Sequence, residues 1–164
     1  MRLRAYLPDD ADAVLALNAA SVAVLSPLDA LQLRALAAQA AYLRVADRDG
    51  AVVAFLLALR EGSAYASPNY RWFAARYPRF LYIDRVVVGA GERGGGVGAN
   101  LYSDLFAFAR AAGIDTVACE FDVDPPNEAS ARFHARFGFS EAGRQRLPGG
   151  KQVSLQVAAV PAAS

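Results

Sequence analysis

The chain has 164 residues, 55% of them hydrophobic and 20% charged, with 17 Lys+Arg against 16 Asp+Glu. That length buries a core of its own, and that composition excludes a disordered or fibrous chain. A net charge of +1 gives no electrostatic reason for a nucleic-acid or anionic-membrane partner, and the one cysteine, Cys119, excludes an internal disulfide and suits a reducing compartment. The start carries no charged and apolar leader pattern, and no apolar run approaches a membrane span. The reading is a single domain over 1–164 in the cytoplasm.

Residues 2–6 alternate and predict a short first strand. Pro8-Asp9-Asp10 supplies a turn and an N-cap for a helix carrying Val14, Leu15 and Leu17. Ser26 as cap and Pro27 at the first helical position start a second helix, with Leu28, Leu31, Leu33, Leu36 and Ala40 on its buried side. The apolar link from Ala20 to Leu25 is placed to line a pocket. Strands follow near 42–47 and 51–60, joined by the hairpin signal Asp47-Arg48-Asp49-Gly50. Residues 61–79 are too long and aromatic for a simple loop and suggest a short helix around 70–76. Tyr70, Trp72, Phe73 and Tyr77 read as a wall of a binding site and as a satellite core cluster, two readings that are compatible.

Leu81–Val88 reads as the central strand and Val97–Ala112 as an amphipathic helix with Leu101, Leu105, Phe106 and Phe108 at helical spacing, ended by Gly113. Ile114–Phe121 is a further strand, apolar enough for burial on both faces. Strand, helix and strand together imply a right-handed crossover between parallel strands. Asp124-Pro125-Pro126 breaks the chain, and Asn127 caps a helix to about Phe137, closed by Gly138. Two strands, Phe139–Leu147 and Gln152–Val160, surround Pro148-Gly149-Gly150. Pro161 marks the stop before a short tail.

The stretch with chemistry lies between the central strand and its helix: Gly89-Ala90-Gly91-Glu92-Arg93-Gly94-Gly95-Gly96-Val97-Gly98-Ala99. Backbone amides at a helix mouth, backed by the positive end of its dipole, form an anion site. Glycines let a phosphate approach the main chain, and Arg93 adds a donor fork suited to its oxygens. The run lacks the Lys-Ser/Thr of a nucleoside triphosphate loop. It also lacks the acidic residue after a second strand that dinucleotide binding wants.

Arg93-Gly94-Gly95-Gly96-Val97-Gly98 resembles the Arg/Gln-x-x-Gly-x-Gly/Ala signature of the GNAT superfamily, the acyl-CoA-dependent N-acyltransferases. A second motif agrees. Residues 127–139 resemble that family's Asn-x-x-Ala/Ser-x-x-Phe/Leu-Tyr-x-Lys/Arg-x-Gly-Phe helix, with His134 where tyrosine is usual. Within the superfamily, Ser67–Phe73, Tyr82–Arg85, Asp124–Asn127 and Phe133-His134 resemble a bacterial subgroup of acetyltransferases. The resemblance implies an α/β (α+β) fold with a mixed, mostly antiparallel sheet of about seven strands and four helices, in the order β-α-α-β-β-β-α-β-α-β-β.

It implies acetyl-CoA as acyl donor and direct attack of an amine on the thioester; the aromatic insert at 61–79 argues for a closed pocket and hence a small-molecule acceptor, and Asp, Glu and one His without ligand spacing give no metal site. The donor's pyrophosphate would sit on Arg93, Gly94, Gly95, Gly96, Val97, Gly98 and Ala99, and its pantetheine along the main chain of Val86, Val87 and Val88. Asn127, first a helix cap, and Ser130 are further cofactor contacts. His134 stands in the slot of the acid that protonates the thiolate, or packs there. Asp84 and Glu120 are candidate bases for the amine; the plain alternative for each is an ion pair with arginine, and Arg85 adjoins Asp84. Tyr70, Trp72 and Phe73 are the candidate acceptor wall. Asp122 and Asp124 read as turn formers, and Cys119 as a buried structural thiol. A catalytically silent acyl-CoA sensor is the alternative function, and a protein amine the alternative acceptor. The sequence is compatible with a homodimer.

Overall fold

The computed structural model describes residues 1–21 and 26–162. The apolar link at 22–25 and the end of the short tail lie outside the described residues. Seven strands follow the order β1-β2-β3-β4-β5-β7-β6, mostly antiparallel. The chain divides into two compact units, Met1–Leu59 with Ile83–Ala107, and Arg60–Tyr82 with Phe108–Ser164.

In the first unit, β1 (Arg2–Ala5), β2 (Tyr42–Arg48) and β3 (Ala51–Arg60) pair antiparallel, in register at Leu3↔Ala46 and Val45↔Phe55. Asp49 and Gly50 both take positive φ, 54° and 89°, as a tight primed hairpin turn requires. Helix α1 (Ala11–Ala20) follows a 3-10 turn at Pro8–Asp10. Asp10 does not cap it. Its carboxylate accepts from the Leu7 N–H at 2.8 Å and pairs with Arg4 at 2.8 Å, which holds its pKa below the usual carboxylate range. Helix α2 (Ala30–Gln39) begins four residues after Ser26, capped by Asp29. Asp29 and Gln32 exchange side-chain and backbone bonds at 2.8 and 2.9 Å, a reciprocal box that outcompetes Ser-Pro. Leu31 is consequently 73% exposed, while Leu33 and Leu36 are buried. Val14, Leu33, Val45, Phe55 and Val87 form the core. The later part of β4 (Leu81–Val88) and most of α4 (Val97–Ala111) complete this unit. Asp104 of α4 accepts from the Tyr42 hydroxyl at 2.7 Å.

In the second unit, the start of β4 runs parallel to β5 (Thr116–Asp124) at Leu81↔Val117 and Tyr82↔Ala118. β5 pairs antiparallel with β7 (Gln152–Ala159), and β7 with β6 (Ser140–Arg146). β5 ends three residues beyond Phe121. Asp122 and Asp124 therefore sit in the ladder opposite Val153 and Gln152, not in a turn, and Lys151 pairs with Asp122 at 3.1 Å. The aromatic insert carries a fifth helix, α3 (Pro68–Ala74), with Pro68 in its first turn and Ser67 capping the Tyr70 N–H. Helix α5 (Glu128–Arg136) is capped by Asn127, whose Oδ1 accepts from the Ser130 N–H at 3.1 Å.

Candidate active site

β4 ends at Val88, and the chain turns through a 3-10 turn at Ala90–Glu92 into the glycine run. Gly94 and Gly96 take φ of 82° and 81°, a region costly for any residue with a Cβ. Asn100 N–H to Gly96 carbonyl, 2.9 Å, is a first-turn bond of α4. The amides of Val97, Gly98 and Ala99 precede the fourth helical residue, so the helix itself offers them no acceptor. Space above Gly91, Gly94 and Gly96 is open within 4 Å of a built Cβ. Arg93 is exposed beside them. Bare amides, open space and a guanidinium fit a pyrophosphate. Gly89 is required for a different reason: a Cβ there would meet the Val53 carbonyl oxygen at 3.0 Å.

A pocket of about 510 Å³ adjoins the loop. It is walled by Ala13, Ala16, Leu17 and Ala20 of α1 on one side and by Val88, Gly89 and Arg93 on the other. Val87 belongs to the core, whereas Val86 and Val88 are half-buried.

Asp84 is engaged by Arg85, Nε to Oδ2 at 2.7 Å, with both side chains 5% exposed. Arg85 also donates to Asn18 Oδ1 at 3.0 Å and to the Ser26 carbonyl at 3.3 Å. The adjacent-arginine alternative is the one formed.

Glu120 lies in a polar cluster instead. Its Oε1 accepts from the Tyr82 hydroxyl at 2.9 Å and from Asn69 Nδ2 at 3.0 Å. Gln145 Nε2 donates to Asn69 Oδ1 at 2.9 Å, so the Asn69 amide has one orientation, with its NH₂ toward Glu120. Asn69, Tyr82 and Gln145 thus join Glu120 in one hydrogen-bonded cluster, and none of the three is a candidate from the sequence. Asn69 was visible only as part of Ser67-Pro68-Asn69-Tyr70, and Tyr82 through its strand parity with Asp84. Nothing in the sequence marks Gln145.

Tyr70 and Phe73 are 2% and 0% exposed, in an aromatic core with Phe80 and Tyr82 at centroid distances of 5.5 to 5.8 Å. Burial of such rings contributes roughly 1.5–3 kcal/mol each. They form the expected satellite core cluster. Trp72 is half-buried, stacked under Arg76 at 4.0 Å.

His134 is 7% exposed and surrounded by Phe121, Phe133 and Phe139 at 5.5, 5.4 and 5.2 Å. Burial lowers its pKa, opposed by the bond to the Ser130 backbone. Nδ1 lies 2.7 Å from the Ser130 carbonyl oxygen, which can only accept, so the proton is on Nδ1. At neutral pH the ring is uncharged, and Nε2 carries a lone pair. That arrangement opposes the role of thiolate acid. Asn127 Oδ1 caps the helix at the Ser130 N–H, and Ser130 Oγ lies 3.2 Å from His134 Nδ1. Burial pushes the Cys119 thiol well up, leaving it unreactive. Among the described residues no three His, Cys, Asp or Glu side chains cluster as metal ligands, and no helix is long and apolar enough to cross a membrane.

A mixed α/β fold with a strand-turn-helix anion cradle is the class these features define. The family model described as acetyltransferase (GNAT) family matches residues 15–139. The chain belongs to that family. It is 42% identical over 66 residues to phosphinothricin N-acetyltransferase of Streptomyces coelicolor, a stretch covering 40% of this chain and 37% of that protein. Its fold is similar to that of YncA from Salmonella typhimurium, solved with its cofactor acetyl-CoA, with TM-score 0.74, 18% identity, and coverage of 100% of this chain and 96% of that one. It is likewise similar to the ribosomal-protein-S18-alanine N-acetyltransferase of Escherichia coli, with TM-score 0.75, 14% identity, and coverage of 99% and 96%. At those identities the two structures establish the fold alone.

Proposed function

We propose that the protein transfers an acetyl group from acetyl-CoA to the primary amine of a small molecule. The observation that carries this reading is the loop at Arg93–Ala99, where two positive-φ glycines present amides at the mouth of α4 beside a guanidinium. Acetyl-CoA supplies the activated thioester; the loop holds its pyrophosphate, and the main chain of Val86–Val88 aligns its pantetheine. Glu120 takes a proton from the acceptor's ammonium, directly or through water, so that a neutral amine attacks, while Asn69 and Tyr82 both donate to its Oε1. The amine nitrogen bonds the thioester carbon, the C–S bond breaks, and the sulfur leaves as thiolate. A thiol of pKa about 8.5 leaves at neutral pH and takes its proton from water, so His134 is not needed as acid. The small-molecule acceptor is supported by the name of the Streptomyces coelicolor relative. The Escherichia coli neighbour's protein acceptor is the competing class.

A second reading, an acyl-CoA sensor without turnover, is favoured by one observation: the His134 N–H is already used on Ser130. Titration with acetyl-CoA, followed by thiol release across a panel of small amines and N-terminal peptides, separates the readings. Release with small amines supports the proposal. Release only with peptides moves the acceptor class, and binding with no release supports the sensor.

A further inference from the structure

Glu92 is out of place in an anion cradle. It sits within the loop, its N–H bonded to the Gly89 carbonyl at 2.9 Å and its carbonyl accepting from Gly95 at 3.2 Å. A carboxylate one residue before Arg93 opposes a pyrophosphate. Its side chain is only 16% exposed, and it meets Arg48 at the end of β2. The contact is a two-point fork: Nε to Oε1 at 2.5 Å and Nη2 to Oε2 at 3.1 Å. Arg48 stands at the hairpin turn whose own geometry is fixed by Asp49 and Gly50.

Resting on the loop's role in the proposed function, we infer that Arg48 is a positioning residue for phosphate binding: it cancels the charge of Glu92 and ties the glycine loop to the β2–β3 hairpin. With the pair formed, Arg93 is the charge that a pyrophosphate meets. With Arg48 removed, Glu92 keeps its charge beside the phosphates. The role is electrostatic as well as structural, and that makes it separable from simple loop support. If Arg48 only ordered the loop, deleting either partner would weaken binding alike. If it screens Glu92, removing the carboxylate repairs the loss of the guanidinium.

The test is calorimetric titration of wild type, Arg48→Ala, Glu92→Gln and the double variant with coenzyme A, 3′-dephospho-coenzyme A and pantetheine, with melting curves confirming folding. The expected result is about 5- to 10-fold weaker coenzyme A binding for Arg48→Ala, with the same loss for the dephospho compound. Glu92→Gln should bind about 2- to 5-fold tighter, and the double variant should recover to within about twofold of wild type. Pantetheine, which lacks the pyrophosphate, should bind all four alike. Arg48→Gln, which removes the charge and keeps most of the side chain's bulk, covers the case in which Arg48→Ala does not fold, and should show the same loss of about 5- to 10-fold. Unchanged affinity in Arg48→Ala, or a double variant as weak as the single, overturns the inference while leaving the cofactor reading intact. Wild type that binds pantetheine as tightly as coenzyme A overturns the cofactor role of the loop and this inference with it.

Discussion

At the scale of single residues, the site divides into groups that present charge and groups that withhold it. Arg93 presents charge, and Arg93→Ala should weaken coenzyme A binding by roughly 1.5–3 kcal/mol, the worth of a charge-assisted phosphate bond. Equal affinity by calorimetry would remove Arg93 from the site. Glu120→Gln keeps the bonds from Tyr82 and Asn69 but loses the proton acceptor. Its turnover should fall by about 10²–10⁴, the usual contribution of a general base, with coenzyme A affinity unchanged. A normal rate would assign Glu120 to structure. His134 withholds charge. Its folded pKa lies below 6.5, so between the unfolded and folded values the unfolded chain binds a proton that the folded one does not. Stability is therefore full above pH 6.5 and is lost as pH falls toward the folded pKa. From about pH 7.5 to 5 the melting temperature of wild type should fall relative to that of His134→Phe, which has no ring proton to bind. A constant gap would mean that His134 is not buried neutral.

At the scale of elements, β6 and α3 meet at one tight contact. A Cβ on Gly143 would lie 2.5 Å from Cζ2 of Trp72. Gly143→Ala should destabilise the protein by about 1–3 kcal/mol, and because Trp72 is the single tryptophan, intrinsic fluorescence reports directly on its displacement. An unchanged emission maximum and melting temperature would show that the ring has room. This contact was not legible in the sequence, since Gly143 and Trp72 lie far apart in the chain and glycine in a strand signals only that something comes close. What was legible had a local cause. The Asp47–Gly50 turn, the glycine loop and the Asn127 cap are each set by residues a few positions apart. The start of α2 failed because two cap signals competed within four residues and the reciprocal Asp29–Gln32 box won. Asp122 and Asp124 have the turn preference of their type, and pairing with β7 overrides it, carrying β5 past Phe121. Candidate bases could be named from Asp84 and Glu120, but choosing between them needed Arg85 and Asn69, which are tertiary facts.

At the scale of the whole molecule, a GNAT-family chain is proposed to bind acetyl-CoA at its glycine loop and to acetylate an amine. The loop variant should lose binding and the Glu120 variant should lose only rate. The measurement that tests the claim most directly is calorimetric titration of the purified protein with acetyl-CoA, followed by free-thiol release across an amine panel. Micromolar binding with amine-dependent thiol release is the predicted result. No binding of acetyl-CoA or coenzyme A by the folded protein would contradict the account at its central loop.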